Sequence, residues 1–160
     1  MQEEDWQLEE TDLNDICASA IKDLDHVIEK SGGKIEAGPL PKALVPPDLV
    51  SRVFQNLLSN ALKYRKKDQP PHVIVEEGTR KADTVTIRVT DNGIGIEPQF
   101  RQQVFGLFRK LHTNKEYEGN GLGLALCDMI VSKCGGSIWI EDAEDGGTVF
   151  VFTLRRAKRD

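Results

Sequence analysis

The chain has 160 residues, of which 39% are hydrophobic and 29% charged, and it carries a formal net charge of −5. That length suffices for one well-filled domain, and the acidic balance argues against a protein that binds nucleic acid. The sequence has no run of about 18 apolar residues, so we expect no direct membrane insertion. The acidic start, Met1 to Trp6, is unlike a signal peptide, which predicts a cytoplasmic location.

Apolar periodicity and turn residues predict the elements in chain order. The first ten residues predict a linker, and Thr11-Asp12 can cap a helix that runs to about Lys30 and ends at Gly32-Gly33. The later predicted elements are strands at 34–37 and 43–45, a helix from 48 to about 66, strands at about 72–78 and 84–90, a short helix at 97–105, a long loop, a helix at about 120–133, and strands near 137–141 and 148–154. Residues 155–160 predict a basic, solvated tail.

This order predicts an α+β fold, a two-layer α/β sandwich in which helices pack on one face of a mixed, mostly antiparallel sheet. The second long helix carries an unusual polar edge. At 100° per residue, Asn56, Asn60 and Lys63 fall within about 40° of one another. Amide oxygens can ligate Mg²⁺, and a nearby lysine can hold the phosphates that share the ion. Taken alone, the helix favours a second interpretation, a solvated polar edge.

Asp91 stands at the end of a predicted core strand. Val85, Ile87 and Val89 share one face by the period of two, and Asp91 is next on that face. A carboxylate in that position needs a donor, because an unpaired buried charge is costly. The exocyclic amine of adenine would be a suitable donor. The alternative is a hairpin turn at Asp-Asn-Gly, which the tripeptide alone favours.

A second glycine-rich stretch, Gly119 to Leu124, leads into an apolar helix. Leu124 replaces the last glycine of a dinucleotide fingerprint, and the single Gly-Lys pair, Gly33-Lys34, lacks the rest of a P-loop. What remains is a helix start whose free N–H groups could meet phosphate oxygens. By itself this is a weak indication of a phosphate site.

Together and in this order, the four segments resemble the catalytic, ATP-binding domain of sensor histidine kinases, a Bergerat fold. Asn56 to Tyr64 resembles the asparagine box, Asp91 to Ile96 the first glycine box, Phe105 to Phe108 the phenylalanine box, and Gly119 to Leu124 the second glycine box. The resemblance covers about residues 12 to 154. Further likeness to phytochrome-like members lies in Leu111-His112, Glu116-Tyr117 and Gly135 to Trp139.

The resemblance implies a set of site residues. The catalytic residues it implies are Asn56, Lys63, Arg109 and Lys110, the last two being lid cations for the γ-phosphate. The residues it implies for ATP are Asn60, Tyr64, Asp91, Gly93, Gly95, Ile96, Phe108, Gly119, Gly121, Leu122, Gly123 and Thr148. It implies that Asn60 ligates Mg²⁺, that Asp91 binds the adenine amine, and that Thr148 assists Asp91 through water. Asn120 stands where many relatives have Ser or Thr.

The phosphoacceptor motif of the family is missing, since no histidine is followed by an acidic residue and no Arg-Pro pair occurs. The resemblance therefore implies phosphorylation of a histidine on a separate dimerisation hairpin, with transfer onward to the receiver domain of a response regulator. The isolated domain would be a monomer, with residues 1–10 as the remnant of the connection and 11–154 as the domain. Asn56 stands where ATPases of this fold carry a water-activating glutamate, so fast hydrolysis is not expected. Two alternatives stay open, a slow ATPase switch and a nucleotide-binding regulatory module.

Overall fold

The computed structural model describes residues 6–105 and 121–157, except for the side chains of residues 121 and 122. The helices are α1 (Leu13–Asp23), α2 (Asp25–Ser31), α3 (Pro47–Lys63) and α4 (Gly121–Lys133). The strands are β1 (Glu9–Asp12), β2 (Lys34–Ala37), β3 (Lys42–Val45), β4 (His72–Glu77), β5 (Thr84–Asp91), β6 (Ile138–Asp142) and β7 (Thr148–Arg155). Two short 3₁₀ turns, Pro98–Phe100 and Gln103–Phe105, follow β5. The predicted long loop and residues 158–160 of the predicted tail lie outside the described residues.

Five strands form the main sheet, in the order β2-β4-β5-β7-β6. The β2–β4 pair is parallel and the other three pairs are antiparallel. A separate pair of antiparallel strands joins β1 to β3. This arrangement confirms the predicted α+β fold with helices on a mixed, mostly antiparallel sheet.

The core lies between the helices and one face of the main sheet. In β5, the residues on the inner face are buried and those between them are partly exposed, as the period of two predicts. Phe54 of α3 meets Phe152 of β7 edge to face, with 5.5 Å between the ring centroids. The buried face of α3 comprises Val50, Val53, Phe54, Leu57, Leu58, Ala61 and Leu62. The core therefore fixes which side of α3 remains available for polar residues.

The prediction of one helix up to about Lys30 was wrong, because the helix breaks at Leu24. The Leu24 N–H donates to the carbonyl of Ile21, three residues earlier, and this shorter hydrogen-bonding pattern tightens the last turn of α1. Asp23 and Asp25, both poor helix formers, flank the break. The predicted beginning and end are otherwise confirmed. Asp12 caps α1 by accepting from the Asn14 N–H at 2.9 Å, and Gly32 ends α2 with a φ of 70°.

Other boundaries also differ from the sequence prediction. Glu9 and Glu10, within the predicted linker, pair with Val45 and Leu44 through backbone hydrogen bonds that their polar sequence does not signal. The predicted 97–105 helix is two 3₁₀ turns, since Pro98 starts a short turn that is not continued. Helix α3 ends at Lys63, three residues earlier than expected. Within the described ranges, no helix is both long and apolar enough to cross a membrane.

Candidate functional site

Asp91 ends β5 with its side chain buried on the inner face. Its Oδ1 accepts from the Gly93 N–H at 2.8 Å and from the N–H of its cross-strand partner Thr148 at 3.3 Å. Burial raises the pKa of the carboxyl from 3.8 to about 6, the two N–H donors oppose that rise, and nearby Asp145 adds to it. At neutral pH the carboxylate is therefore still mostly ionised.

The second oxygen, Oδ2, receives no hydrogen bond from any residue in the described ranges. In the same part of the chain, no fully enclosed side-chain nitrogen or oxygen lacks a partner. The residue as a whole is 8% exposed. One oxygen is held in place by the backbone and the other can accept from a ligand.

The loop after β5 lies against the end of α3. The Ile94 N–H donates to the Tyr64 carbonyl at 3.1 Å. A side chain at Gly93 would place its Cβ against that same carbonyl, closer than real Cβ contacts occur, so the approach requires glycine. Asn92 fixes the loop from its other side by accepting from the His72 N–H at 2.8 Å and donating to the Pro70 carbonyl at 3.2 Å. Thus the Tyr64 backbone meets the segment that follows Asp91.

The turn between β6 and β7 covers the same loop. Gly95 has a φ of 78°, and a Cβ there would lie 2.5 Å from the Gly146 carbonyl oxygen. Gly147 packs directly on the Asp91 carbonyl, with no room for a Cβ. The sequence patterns did not predict this turn as part of the site. A glycine pair just before Thr148 was the signal that could have indicated it.

The polar edge of α3 lies on its accessible side. Asn56 and Asn60 are partly buried and Lys63 is exposed. The Lys63 Nζ lies 5.8 Å from the ring centroid of Tyr64, and burial raises the pKa of the Tyr64 phenol. Helix α3 therefore carries two amides and an ammonium along one edge, and an aromatic ring follows directly after its last residue.

The start of α4 packs on this edge. Gly123 is buried against Asn56, and a Cβ there would lie 3.2 Å from the Asn56 Oδ1. One turn later, the Cys127 thiol is buried beside Asn56 and donates to the Val53 carbonyl at 3.9 Å. Burial raises the pKa of this thiol to about 12, so it is an inert packing group. The structure thus brings the predicted asparagine segment together with the first glycine segment and with Gly123 of the second.

Several predicted site residues are not placed. Phe108, Arg109, Lys110, Gly119 and Asn120 lie outside the described residues, as do the phytochrome-like positions 111–112 and 116–117. Gly121 begins α4, but its surroundings and the Leu122 side chain are not described. Phe105, which opens the phenylalanine segment, packs edge to face on Phe150 with 6.2 Å between centroids. Within the described ranges, no group of three or more His, Cys, Asp or Glu residues could hold a metal.

Comparison with known proteins identifies the family. The sequence model described as "Histidine kinase-, DNA gyrase B-, and HSP90-like ATPase" matches residues 46–158, which is most of the chain. The chain belongs to this family. The matched range contains both glycine segments and the polar edge of α3.

Among curated relatives, the phytochrome-like protein Cph1 of Synechocystis is 38% identical over 148 residues, which are 92% of this chain and 20% of Cph1. The methanogenesis regulatory histidine kinase FilI of Methanothrix harundinacea is 36% identical over 148 residues, 91% of this chain and 16% of FilI. The predicted likeness to phytochrome-like members is confirmed. The chain spans about a fifth of the length of these relatives.

Solved structures confirm the fold. The catalytic domain of the histidine kinase ThkA superposes with a TM-score of 0.80 at 22% identity, covering 93% of this chain and 95% of that chain. Full-length ShkA, solved in complex with AMPPNP, superposes with a TM-score of 0.81 at 21% identity, covering 97% of this chain and 32% of ShkA. The chain therefore has the fold of histidine kinase catalytic domains.

Proposed function

We propose that this chain is the ATP-binding catalytic domain of a two-component sensor histidine kinase. It transfers the γ-phosphate of ATP to a histidine on a separate dimerisation hairpin, from which the receiver domain of a response regulator takes it. The domain comprises residues 11–154 together with the flanking ends of β1 and β7, is monomeric by itself and acts in the cytoplasm. Family membership and the names of the relatives support this proposal.

The observation that carries the proposal is the environment of Asp91. Two backbone N–H groups hold Oδ1, so Oδ2 is the oxygen left to accept from the adenine amine. A charged acceptor in a low-dielectric site makes a strong hydrogen bond when it is paired and is costly when it is not. The site therefore favours a base that presents an amine and disfavours one that presents a carbonyl in that position.

The phosphates belong at the other wall, between α3 and the start of α4. Asn56, Lys63 and the N–H groups at the beginning of α4 face them in this proposal, with Arg109 and Lys110 as lid cations. The partly buried amide of Asn60 fits Mg²⁺, a hard cation that takes oxygen ligands and shares itself with substrate phosphates. When bound, the ion neutralises charge on the phosphates.

Catalysis then rests on positioning, since phosphoryl transfer needs little covalent help from the protein. The domain holds the nucleotide and orients the γ-phosphate, while the acceptor imidazole comes from the hairpin. Asn56 is a neutral amide and cannot act as a general base toward water. Slow hydrolysis in the absence of an acceptor is the expected consequence.

Calorimetric titration of Mg²⁺-ATP into the parent chain and into Asp91→Asn tests the proposal. The amide keeps Oδ1 for the two N–H donors but offers a donor where the adenine amine needs an acceptor. We expect the dissociation constant to rise by at least about 30-fold, the cost of losing one charged hydrogen bond and burying mismatched donors. Asp68→Asn, the same change at an exposed position, should bind like the parent.

Equal affinity of Asp91→Asn and the parent would contradict the assignment of Asp91. A second assay adds a recombinant histidine-bearing hairpin from a sensor kinase together with γ-labelled ATP. Label on the hairpin is the expected result. ATP binding without label on the hairpin would favour the regulatory module, and rapid acceptor-independent turnover would favour the ATPase switch.

A further inference from the structure

Arg101 lies just after the first 3₁₀ turn, and its side chain is 19% exposed. Its Nε donates to the Ile96 carbonyl at 3.0 Å, and its Nη2 pairs with the carboxylate of Asp142. One guanidinium therefore connects the last residue of the first glycine segment to the last residue of β6. The proposed function gives this arginine no role.

The two groups that Arg101 connects belong to the two segments that surround Asp91. Ile96 ends the loop that begins at Asp91, and Asp142 leads into the β6–β7 turn. Gly146 of that turn packs on Gly95 of the loop. The contacts thus form a closed ring: the loop, Arg101, the end of β6, and the turn that returns to Asp91 through the Gly147 and Thr148 backbone.

We propose that Arg101 is a positioning residue that holds the loop from Asp91 to Ile96 and the β6–β7 turn as one rigid wall for the base. This inference rests on the proposed nucleotide site. Arg101 raises nucleotide affinity without touching the nucleotide, because a loop ordered in advance does not lose that freedom on binding.

The guanidinium is suited to this position by its geometry. Its planar fork presents several N–H donors in fixed directions, so it can serve a carbonyl and a carboxylate at once. A lysine has one nitrogen on a flexible stem and would keep only part of the connection. Since Asp142 is 78% exposed, the ion pair alone is weak, and the bond to the Ile96 carbonyl provides the rest of the connection.

The competing role for a cation near the phenylalanine segment is direct contact with phosphate. The variant Arg101→Met keeps the aliphatic part of the side chain and loses the guanidinium. Its affinities for Mg²⁺-ATP and Mg²⁺-ADP distinguish positioning from direct phosphate contact. Positioning of the base wall predicts that both dissociation constants rise by the same factor, roughly 3- to 10-fold, with their ratio unchanged. A phosphate contact predicts a loss for ATP that exceeds the loss for ADP, and that outcome would overturn the proposal.

Three further variants sharpen the result. Arg101→Lys should recover part of the affinity, and Asp142→Asn should weaken both nucleotides by a smaller factor than Arg101→Met. The double variant Arg101→Met/Asp142→Asn should be no weaker than Arg101→Met alone, since the pair acts as one unit. Arg80→Met is the matched control, because Arg80 forms a two-bond pair with Glu77 away from the site and should leave both affinities unchanged.

Amide hydrogen exchange tests the positioning role without any nucleotide. In Arg101→Met, exchange should become faster in residues 92–97 and 143–148, including the Gly93 and Thr148 amides, and should stay unchanged in α1 and β4. Unchanged exchange in the first two segments would refute the positioning role. If the parent chain fails to bind ATP, the proposed function fails, and this experiment still decides whether Arg101 fixes the wall.

Discussion

Asp91 shows a conflict between stability and binding at the scale of one residue. Burial raises the pKa of its carboxyl to about 6, so the native state binds a proton more tightly than the unfolded chain does. This group therefore favours folding fully below its ordinary pKa of 3.8 and loses that contribution as the pH rises through about 6. At neutral pH the ionised carboxylate destabilises the empty domain. A nucleotide amine that pairs with Oδ2 would offset that cost.

Asp91→Asn should therefore stabilise the empty domain while it weakens ATP binding. Each pKa unit corresponds to about 1.4 kcal/mol, so we expect the free energy of unfolding to rise by about 1 to 3 kcal/mol at pH 7. The gain should shrink as the pH falls from 6 to 4, where the parent carboxyl becomes protonated. Urea denaturation of both proteins at pH 7 and pH 4 measures this. A gain of the same size at both values would contradict the assigned protonation behaviour.

At the scale of elements, the site depends on how closely three backbone segments approach one another. The loop after β5 rests on the end of α3 through the bond from the Ile94 N–H to the Tyr64 carbonyl, and the β6–β7 turn packs on the loop. Gly93, Gly95 and Gly147 make these approaches possible. The walls of the site are therefore formed by direct packing of backbone on backbone. Replacing one of these glycines with a larger residue would disrupt that packing.

Gly147→Ala should destabilise the fold. Its Cβ would overlap the Asp91 carbonyl, a backbone group that cannot move without breaking the β5–β7 pair. We expect a loss of about 2 kcal/mol or more in the free energy of unfolding, typical of overpacking against a rigid neighbour. Thermal denaturation compares it with Gly38→Ala, where the nearest atom to the new Cβ is 3.8 Å away. Equal melting temperatures for the two variants would argue against the tight packing described here.

Gly123→Ala should affect binding rather than stability. The new Cβ would lie 3.2 Å from the Asn56 Oδ1, so the amide must shift to make room. Alanine also improves helix propensity by about 1 kcal/mol, which offsets the crowding. We expect an unchanged or slightly higher melting temperature together with several-fold weaker Mg²⁺-ATP binding by calorimetry. Unchanged affinity would show that Asn56 does not need its present position.

Across the whole molecule, the sequence predicted what periodicity controls. Alternation in β5 predicted the buried face that ends at Asp91, and the apolar stripe of α3 predicted its buried side. The order of four short segments predicted the fold class and the family, which the family match and the solved structures confirm. The metal and phosphate roles of Asn60 and Lys63 stay predictions.

Features that depend on contacts between distant segments were not predictable. The polar sequence of β1 gives no sign that it pairs with β3, and the break at Leu24 lies inside a continuous apolar pattern. The same applies to Arg101, which is unremarkable in sequence until the fold brings it to both Ile96 and Asp142. Local patterns specify elements, whereas these contacts arise only when the elements pack.

The most direct test of the central claim, that Asp91 recognises the adenine amine, compares ATP with ITP, whose base carries a carbonyl in place of that amine. Calorimetry gives the ratio of dissociation constants for the parent and for Asp91→Asn. The parent should prefer ATP by at least about 30-fold, and the variant, which presents an amide donor, should lose or reverse this preference. The same preference for ATP in both proteins would contradict the claim and show that another group recognises the base.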